Sequence, residues 1–200
     1  MRLASLLQSG DARTVVHTLR TVTRGDVTLT EEQRRELGRM VLLPPSTVSN
    51  IGSVLGEGQS IVREAKLKTN GAEKPVAVKI MDDKDDSRAE VVLSMWVSQQ
   101  TKRVCWTYGA VQMEFKLMMV MERCKGSLAD VLRERDGPLT PAELSRAIID
   151  ICAVIAELHT CGVVHCDVKP ANCLVRSDGS VALCDFGAAK VRPDSHFPAR

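Results

Sequence analysis

Aromatic residues are scarce in this sequence, and neither sign of charge dominates it. Two Trp, one Tyr and three Phe are its only aromatic residues, and the formal net charge is +2 over 200 residues. A nucleic-acid-binding domain usually carries a strongly basic surface, and single-strand binders add aromatic rings on which bases stack. We therefore expect no nucleic-acid partner. With 44% hydrophobic residues, the chain can still bury an ordinary globular core.

Long apolar runs are absent as well. The longest one, ICAVIA, is far shorter than the roughly 20 residues of a membrane-spanning helix. The N-terminal stretch MRLASLLQSG is too short and too weakly apolar for a secretory signal, and the following Asp11 is atypical of a transit peptide. We therefore predict a cytoplasmic protein without a membrane span.

Closely spaced cysteine pairs are the third absence. The chain has seven cysteines, an odd number, and no two of them form a CxxC pair. Most stand in apolar stretches, which is typical of buried thiols in a reducing compartment. They are Cys105, Cys124, Cys152, Cys161, Cys166, Cys173 and Cys184. Two histidines, His159 and His165, lie among the last of them, but the spacing matches no usual zinc finger.

The chain divides near residue 48. In the first part, apolar residues over 12–22 form one helical stripe, and TEEQ begins a second helical pattern that ends at the prolines Pro44 and Pro45. We predict a helical extension over residues 1–48 and a second domain over residues 49–200.

From residue 49 on, strand patterns alternate with helices. SVLGEGQSIVREAKL predicts two strands around a glycine turn, NG leads into the strand KPVAVKIM, and KLMMVME is typical of a buried strand. One helix is expected over residues 88–100. A second is expected after Thr140, since Pro141 and Glu143 complete a strong N-terminal signal. CLVRSDGSVALCDFG predicts a hairpin turned by SDG.

Three local features each allow two interpretations. The backbone at Gly56 and Gly58 in LGEGQS could approach phosphates, but a glycine-rich hairpin turn explains both, and no Walker-type Gly-Lys-Ser/Thr follows. Lys79 in VAVKI either extends to water or meets a charged partner inside the core. Glu90 could pair with Lys79, or it could close a capping box with Ser87.

Polar groups converge in the stretches HCDVKPAN and LCDFG. Asp167 and Asn172 lie five positions apart with the turn residue Pro170 between them, and Asp185 ends the next predicted hairpin. Carboxylate and amide oxygens suit Mg²⁺, which prefers a few protein ligands and phosphate company. The arrangement favours one acid that helps to hold a metal and another that orients a hydroxyl.

Taken in order, these motifs resemble those of the eukaryotic-type protein kinases: a glycine-rich loop, VAVK, a helix Glu, HCDVKPAN and DFG. The resemblance implies an α+β fold whose N-lobe has a five-stranded antiparallel sheet and one main helix, followed by a partial helical C-lobe. ATP is then expected in the cleft between the lobes. DVKPAN looks like the serine/threonine branch of the family.

The resemblance implies roles for the matching polar residues. Lys79, held by Glu90, would orient the α and β phosphates, Asp167 would orient the substrate hydroxyl, and Lys169 would steady the γ-phosphate. Asn172 and Asp185 would hold Mg²⁺. The implied activity is transfer of the γ-phosphate of Mg-ATP to a protein serine or threonine. The alternative is a non-catalytic, nucleotide-binding or partner-binding regulatory fragment.

The resemblance also implies an adenine pocket. Its members would cover the phosphates, sandwich the base, guard the back of the pocket and form the hinge. They are Gly56, Gly58, Val62, Ala77, Leu174, Met121, Glu122 and Cys124.

The sequence departs from the family pattern at three places. The glycine-rich loop lacks its third glycine and is one residue short, so we expect weak ATP binding. Cys166 stands where the family has the arginine that pairs with an activation-loop phosphate, and a thiol cannot form that pair. No APE follows DFG, so we expect an incomplete C-lobe, with a partner or a missing segment covering the apolar helix at 141–160.

Overall fold

The computed structural model describes residues 42–57, 60–69 and 71–191. The two helices predicted before residue 42, the glycine-loop residue Gly58 and the turn residue Asn70 lie outside the described residues. Among the residues that are described, no helix combines the length and apolar character needed to cross a bilayer.

Eleven strands, three α-helices and two short 3-10 turns make up the described chain. The strands are β1 (Val48–Ser49), β2 (Val54–Glu57), β3 (Ile61–Thr69), β4 (Ala72–Asp82), β5 (Thr107–Gln112), β6 (Lys116–Glu122), β7 (Gly126–Ser127), β8 (Val163–Val164), β9 (Cys173–Val175), β10 (Val181–Leu183) and β11 (Lys190–Val191). The helices are α1 (Asp85–Gln100), α2 (Leu128–Glu134) and α3 (Pro141–Thr160), and the 3-10 turns are Pro45–Thr47 and Pro170–Asn172.

The first six strands form one antiparallel sheet. Its order is β1-β3-β4-β6-β5, and β2 pairs with the same edge of β3 that β1 uses further along. The sheet is therefore five strand positions wide, as predicted, with an edge position divided between β1 and β2. The strand β1 itself was not predicted.

Residues 42–49, which the sequence assigns mostly to the extension, lie on this sheet. The Leu43 N–H donates to the Ala110 carbonyl at 2.7 Å, and β1 pairs Val48 with Leu67. Leu43 and Val48 also pack against the apolar residues of one sheet face. Burial of these side chains fixes the edge of the sheet before the glycine-containing strand β2 begins.

The predicted strand KLMMVME is β6, and its five central residues are all buried. Alternate side chains of a strand point to opposite faces, so a continuous apolar run requires cover on both. One face packs on α1 and the second half of the chain, while the other carries a smaller cluster built around Val76, Val78 and Val120.

The helix α1 begins at Asp85, three residues before the predicted start. Lys84 is its N-cap residue and offers no side-chain cap, while Asp85 and Asp86 complement the positive end of the helix dipole. The capping-box interpretation of Ser87 and Glu90 is therefore wrong, because both residues lie inside the helix. Every residue from 89 to 98 is buried, including Trp96, which is 5% exposed.

The second half of the chain contains α3 and the β9–β10 hairpin. Thr140 caps α3 in a reciprocal box with Glu143, and Pro141 occupies the first turn, so the predicted signal is confirmed. The predicted hairpin is confirmed by the antiparallel pairing of β9 with β10. One side of α3 is buried, but Ile148 and Ile149 are 52% and 61% exposed, so a cover for this helix stays a prediction.

Candidate active site

Lys79 lies in the middle of β4, opposite Val62 on β3 and Met119 on β6. Its Nζ is 2.6 Å from Glu90 Oε1 and 2.9 Å from Asp185 Oδ1, and its side chain is only 12% exposed. Burial alone would lower the pKa of Lys79, but the two carboxylates outweigh it and the pKa is raised. The ammonium therefore stays charged at neutral pH, and the predicted pairing with Glu90 is present.

Glu90 is the partner that α1 contributes, and it is 8% exposed. Burial raises the pKa of Glu90, while the Lys79 ammonium opposes that shift. The early start of α1 puts Glu90 in the second helical turn, where it faces the sheet. The sequence alone could not show where α1 begins, because the capping signal at Ser87 and Glu90 was as strong as the signal at the true start.

Asp185 occupies a tight corner after β10. Its φ is 66°, a left-handed value that is uncommon for a residue with a side chain. A Cβ at Gly187 would lie 3.3 Å from Glu90 Oε2, which is tighter than most real contacts, and 3.5 Å from Asp185 Oδ1, which is an ordinary contact distance. The backbone of Gly187 thus passes close to the carboxylates that hold Lys79, and only glycine leaves them undisturbed there.

Asp167 is the centre of a second polar cluster. Lys169 Nζ lies 2.7 Å from Asp167 Oδ2, and Asn172 Nδ2 donates to the same oxygen at 2.9 Å and to the Asp167 carbonyl at 2.9 Å. The 3-10 turn at Pro170–Asn172 brings the amide back to the acid. The hydrogen bond from Lys169 is the main cause that lowers the pKa of Asp167, so this carboxylate is ionised at neutral pH.

His165 forms hydrogen bonds with the backbone on both sides of the site. Its Nε2 lies 2.9 Å from the Cys184 carbonyl, and the Asp167 N–H donates to its Nδ1 at 3.3 Å. Burial lowers the pKa of His165, so the ring is neutral with its proton on Nε2. The ring also packs on Phe186, with centroids 5.0 Å apart. His165 thereby links the Asp167 segment to the corner that carries Asp185.

The segments that carry these two clusters match a known sequence family. A family model for the protein kinase domain matches residues 49–198. The chain belongs to the protein kinase family. The α+β fold expected from the resemblance is the fold observed, with the curled antiparallel sheet in its N-lobe.

Several curated proteins are similar to this kinase domain. Serine/threonine-protein kinase cst-1 of Caenorhabditis briggsae is 35% identical over 153 residues, which are 73% of this chain and 30% of that protein. Serine/threonine-protein kinase hippo of Drosophila melanogaster is 30% identical over 154 residues, 74% of this chain and 22% of that protein. E3 ubiquitin-protein ligase KEG of Arabidopsis thaliana is 34% identical over 98 residues, 49% of this chain and 6% of that protein. The chain thus spans less than a third of the length of these relatives.

The kinase domain brings the predicted apolar pocket residues to one side of its sheet. Ala77 on β4 and Met121 on β6 are directly paired, and both are buried in the larger core cluster. Val62 and Leu174 pack against that cluster and are half-buried. Gly56 pairs with Val62, and open space surrounds the position that a Cβ would take there. Of the predicted phosphate-covering glycines, only Gly56 lies within the described residues.

Glu122 ends β6 and begins the connection between the lobes. Its Oε1 accepts from Arg176 Nη2 at 2.6 Å and from the Trp106 N–H at 2.9 Å. The Glu122 side chain is therefore an anchor that ties β6 to the β9–β10 hairpin, and its backbone N–H donates to the Trp106 carbonyl at 2.8 Å. Cys124, two residues further on, is 7% exposed.

Sequence reasoning missed a second tie between the lobes. Asp150 on α3 is 4% exposed and accepts from Arg103 Nη1 at 2.9 Å, from Arg146 Nε at 3.2 Å and from the Val181 N–H at 3.0 Å. Arg103 follows α1, so Asp150 connects the end of that helix to α3 and β10. The sequence did carry a signal for this contact. Asp150 is an acid within an apolar helical stripe, and Arg146 lies one turn before it.

The donor set of the site fits Mg²⁺. Asn172 uses its Nδ2 for Asp167, which leaves the amide Oδ1 as an acceptor, and Asp185 uses one oxygen for Lys79. An amide oxygen and a carboxylate oxygen are the hard ligands that Mg²⁺ takes, alongside phosphate and water. Within the described ranges, no group of three or more His, Cys, Asp or Glu residues is arranged to hold a metal by itself.

Proposed function

We propose that this kinase domain transfers the γ-phosphate of ATP to a serine or threonine hydroxyl of a protein. The observation that carries the proposal is the position of Lys79 between Glu90 and Asp185, at 2.6 and 2.9 Å. One ammonium beside two carboxylates leaves one excess negative charge, which a Mg²⁺ ion bound at Asp185 would offset while the ammonium meets phosphate oxygens. Membership of the protein kinase family supports the same activity.

Phosphoryl transfer needs mainly positioning and charge neutralisation from the protein. In this proposal Lys79 contacts the α and β phosphates, with Glu90 fixing its direction. Mg²⁺, when bound by Asn172 and Asp185, neutralises charge on the phosphates. Lys169 adds a positive charge next to the position of the transferred group.

Asp167 is the proposed partner of the attacking hydroxyl. Because its pKa is lowered, the carboxylate can accept the hydroxyl hydrogen bond at neutral pH and orient the oxygen. The bond from Asn172 Nδ2 holds one carboxylate oxygen in place. The neutral ring of His165 accepts the Asp167 N–H and so fixes the backbone of the same residue.

The protein kinase family and the free cysteines bear on the second substrate, the cofactor and the compartment. We propose a protein as the second substrate, with ATP and Mg²⁺ as the phosphate donor and cofactor. The cysteines of the described chain are all free thiols, which supports a reducing compartment such as the cytoplasm.

The test is a transfer assay with ATP labelled at the γ-phosphate, Mg²⁺ and a protein rich in serine and threonine. Wild-type chain should label the protein, and Asp185→Ala should abolish labelling while the far-UV circular dichroism stays unchanged. Asp136→Ala, which removes an exposed acid far from the site in sequence, is the matched control and should retain activity. Mg-ATP binding without any transfer by the wild type would instead select the non-catalytic interpretation.

A further inference from the structure

A largely buried ion pair lies where β4 leads into α1. Asp83 directly follows the last residue of β4, and Arg88 lies in the first turn of α1. Arg88 Nε donates to Asp83 Oδ1 and Arg88 Nη2 donates to Asp83 Oδ2, both at 2.7 Å. The two side chains are only 14% and 13% exposed. A two-pronged contact of this kind is among the strongest that an arginine and a carboxylate can form.

Two further hydrogen bonds hold Asp83 against the sheet. Gln112, the last residue of β5, donates from Nε2 to Asp83 Oδ2 at 2.9 Å. The Asp83 N–H donates to the carbonyl of Phe115, in the turn between β5 and β6, at 3.1 Å. Asp83 therefore connects the sheet to the start of the helix. We call the side chains of Asp83, Arg88 and Gln112 the entry clamp.

The entry clamp occupies positions that set the direction of a helix. Lys84 is the N-cap residue of α1, so Asp83 precedes the cap and Arg88 is the fourth residue of the helix. Apolar residues at these two positions often pack together and fix the angle at which the chain enters a helix. In this protein a two-pronged ion pair joins the same two positions. We therefore infer that the entry angle of α1 is held by polar contacts.

The entry angle decides where Glu90 lies relative to Lys79. Lys79 is four positions before Asp83, and Glu90 is two positions after Arg88. At 3.6 residues per turn, two positions are roughly 200° apart, so Arg88 and Glu90 lie on nearly opposite sides of α1. Contacts on opposite sides resist rotation of the helix about its axis. Such a rotation would move Glu90 away from the Lys79 ammonium.

The neighbouring acid does not make this connection. Asp82 pairs with Lys116 at 2.6 Å and with Lys84 at 3.1 Å, and these three side chains are 53% to 71% exposed. Exposed ion pairs of this kind contribute little to a fold. Asp82 is therefore a matched control for Asp83, because it is the same residue type one position away.

We propose that Asp83 is a positioning residue for phosphoryl transfer, which through Arg88 holds α1 at the angle that keeps Glu90 on Lys79. This inference rests on the transfer activity proposed above. Because Asp83 acts through Glu90, its effect on transfer should disappear once Glu90 is replaced. A residue that merely stabilised the fold would have the same effect with and without Glu90.

The experiment is a double-mutant cycle in the γ-phosphate transfer assay. Asp83→Asn keeps the size of the side chain but removes the charge that Arg88 holds. It should lower kcat/KM for ATP by about 10-fold, within the roughly 10²-fold cost of ångström-scale misplacement. Added to Glu90→Gln, the same substitution should lower kcat/KM by less than about 2-fold. Asp82→Asn should leave kcat/KM unchanged in both backgrounds, and an equal loss from Asp83→Asn in the two backgrounds would overturn the proposal.

A second measurement needs no transfer activity. Trace acetylation of the folded chain with acetic anhydride, read by peptide mass spectrometry, compares the reaction rate of Lys79 with that of the exposed Lys68. Asp83→Asn should raise the relative rate of Lys79, because a displaced Glu90 leaves the amine less strongly protonated and more accessible. Asp82→Asn should not change it. An unchanged Lys79 rate in folded Asp83→Asn would overturn the proposal.

The two measurements separate the possible failures. A wild-type chain that transfers no phosphate would contradict the proposed function, and the Lys79 rate alone would then decide the role of Asp83. If Asp83→Asn fails to fold by circular dichroism, Arg88→Lys takes its place with the same expectations. That variant keeps the positive charge but cannot form the two-pronged contact.

Discussion

The ammonium of Lys79 lies 2.6 Å from the carboxylate of Glu90, across the interface between the sheet and α1. Both side chains are at most 12% exposed, so water screens their interaction little. The pair couples the position of α1 to the residue that we propose to meet the phosphates. A shift of the helix would leave Lys79 with Asp185 alone.

Glu90→Gln tests this coupling. The amide keeps the shape of the side chain but removes the charge that directs Lys79, and a misdirected lysine is expected to lower kcat/KM by about 10²-fold, the cost of ångström-scale misplacement. Steady-state kinetics with varied ATP measure the effect. Glu73→Gln is the control, since Glu73 forms its ion pair with Lys66, at the exposed end of the β3–β4 hairpin. Equal kinetics for Glu90→Gln and wild type would contradict the coupling.

Asp167→Asn tests the proposed partner of the hydroxyl. The substitution keeps the size of the side chain but removes the proton acceptor, and kcat is expected to fall by about 10²- to 10⁴-fold, the usual contribution of a positioned acid or base. The melting temperature should change little because the Asp167 side chain is 37% exposed. A variant with wild-type kcat would rule out this role.

The pH profile of the wild type should carry the same signature. Since the pKa of Asp167 is lowered from 3.8, its carboxylate stays ionised as the pH falls to that value. The proton acceptor is then lost only at more acidic pH. We expect no decrease in kcat/KM from this group between neutral pH and the acid limit of folding. The contrary result would be a decrease in kcat/KM on the acid side with an apparent pKa above 5 that is absent from Asp167→Asn. It would show that the carboxylate is not held as described.

Gly187→Ala tests the close backbone approach at the corner after β10. The added methyl would press on Glu90 Oε2 at 3.3 Å, so we expect a loss of activity with a small loss of stability. Gly126→Ala is the control, because its Cβ would meet Asp130 only at an ordinary 3.7 Å. The comparison of kcat/KM with the free energy of unfolding separates a disturbed site from a disturbed fold.

The capping box of α3 gives a prediction about stability. Thr140→Ala removes the cap and should lower the free energy of unfolding by about 1 kcal/mol, measured by urea denaturation at neutral pH. In the folded chain the backbone N–H of Thr140 and the guanidinium of Arg135 lower the pKa of Glu143 from 4.5 to about 2. The stabilisation by Glu143 is therefore complete above pH 4.5 and lost as the pH falls towards 2. Glu143→Gln, which removes the titrating carboxyl, should flatten that part of the stability profile, and an unchanged profile would argue against the box.

Much of the site could be predicted because its motifs are local. The five-residue spacing of Asp167 and Asn172 becomes a 3-10 turn, and Lys79 meets Glu90 as expected. The capping signal at Ser87 was misleading because two acids at Asp85 and Asp86 start the helix earlier. Several local sequence signals compete to mark the end of a helix. Only the packing of α1 against the sheet decides which residues of the helix face the core.

The remaining features depend on contacts between distant residues. Arg176 reaches Glu122 across 54 positions, and Arg103 reaches Asp150 across 47. Nothing in the composition of either segment identifies its partner. The role of Gly187 beside Glu90 is equally hidden, because it follows from how two lobes close on each other and not from a turn type.

The central claim is tested most directly by Lys79→Met in the γ-phosphate transfer assay, with Lys68→Met as the matched control. Lys68 lies on β3 at an exposed position, so its loss removes the same charge away from the site. The account predicts that Lys79→Met abolishes transfer while Lys68→Met retains it, with both variants folded by circular dichroism. Full transfer by folded Lys79→Met would contradict the account.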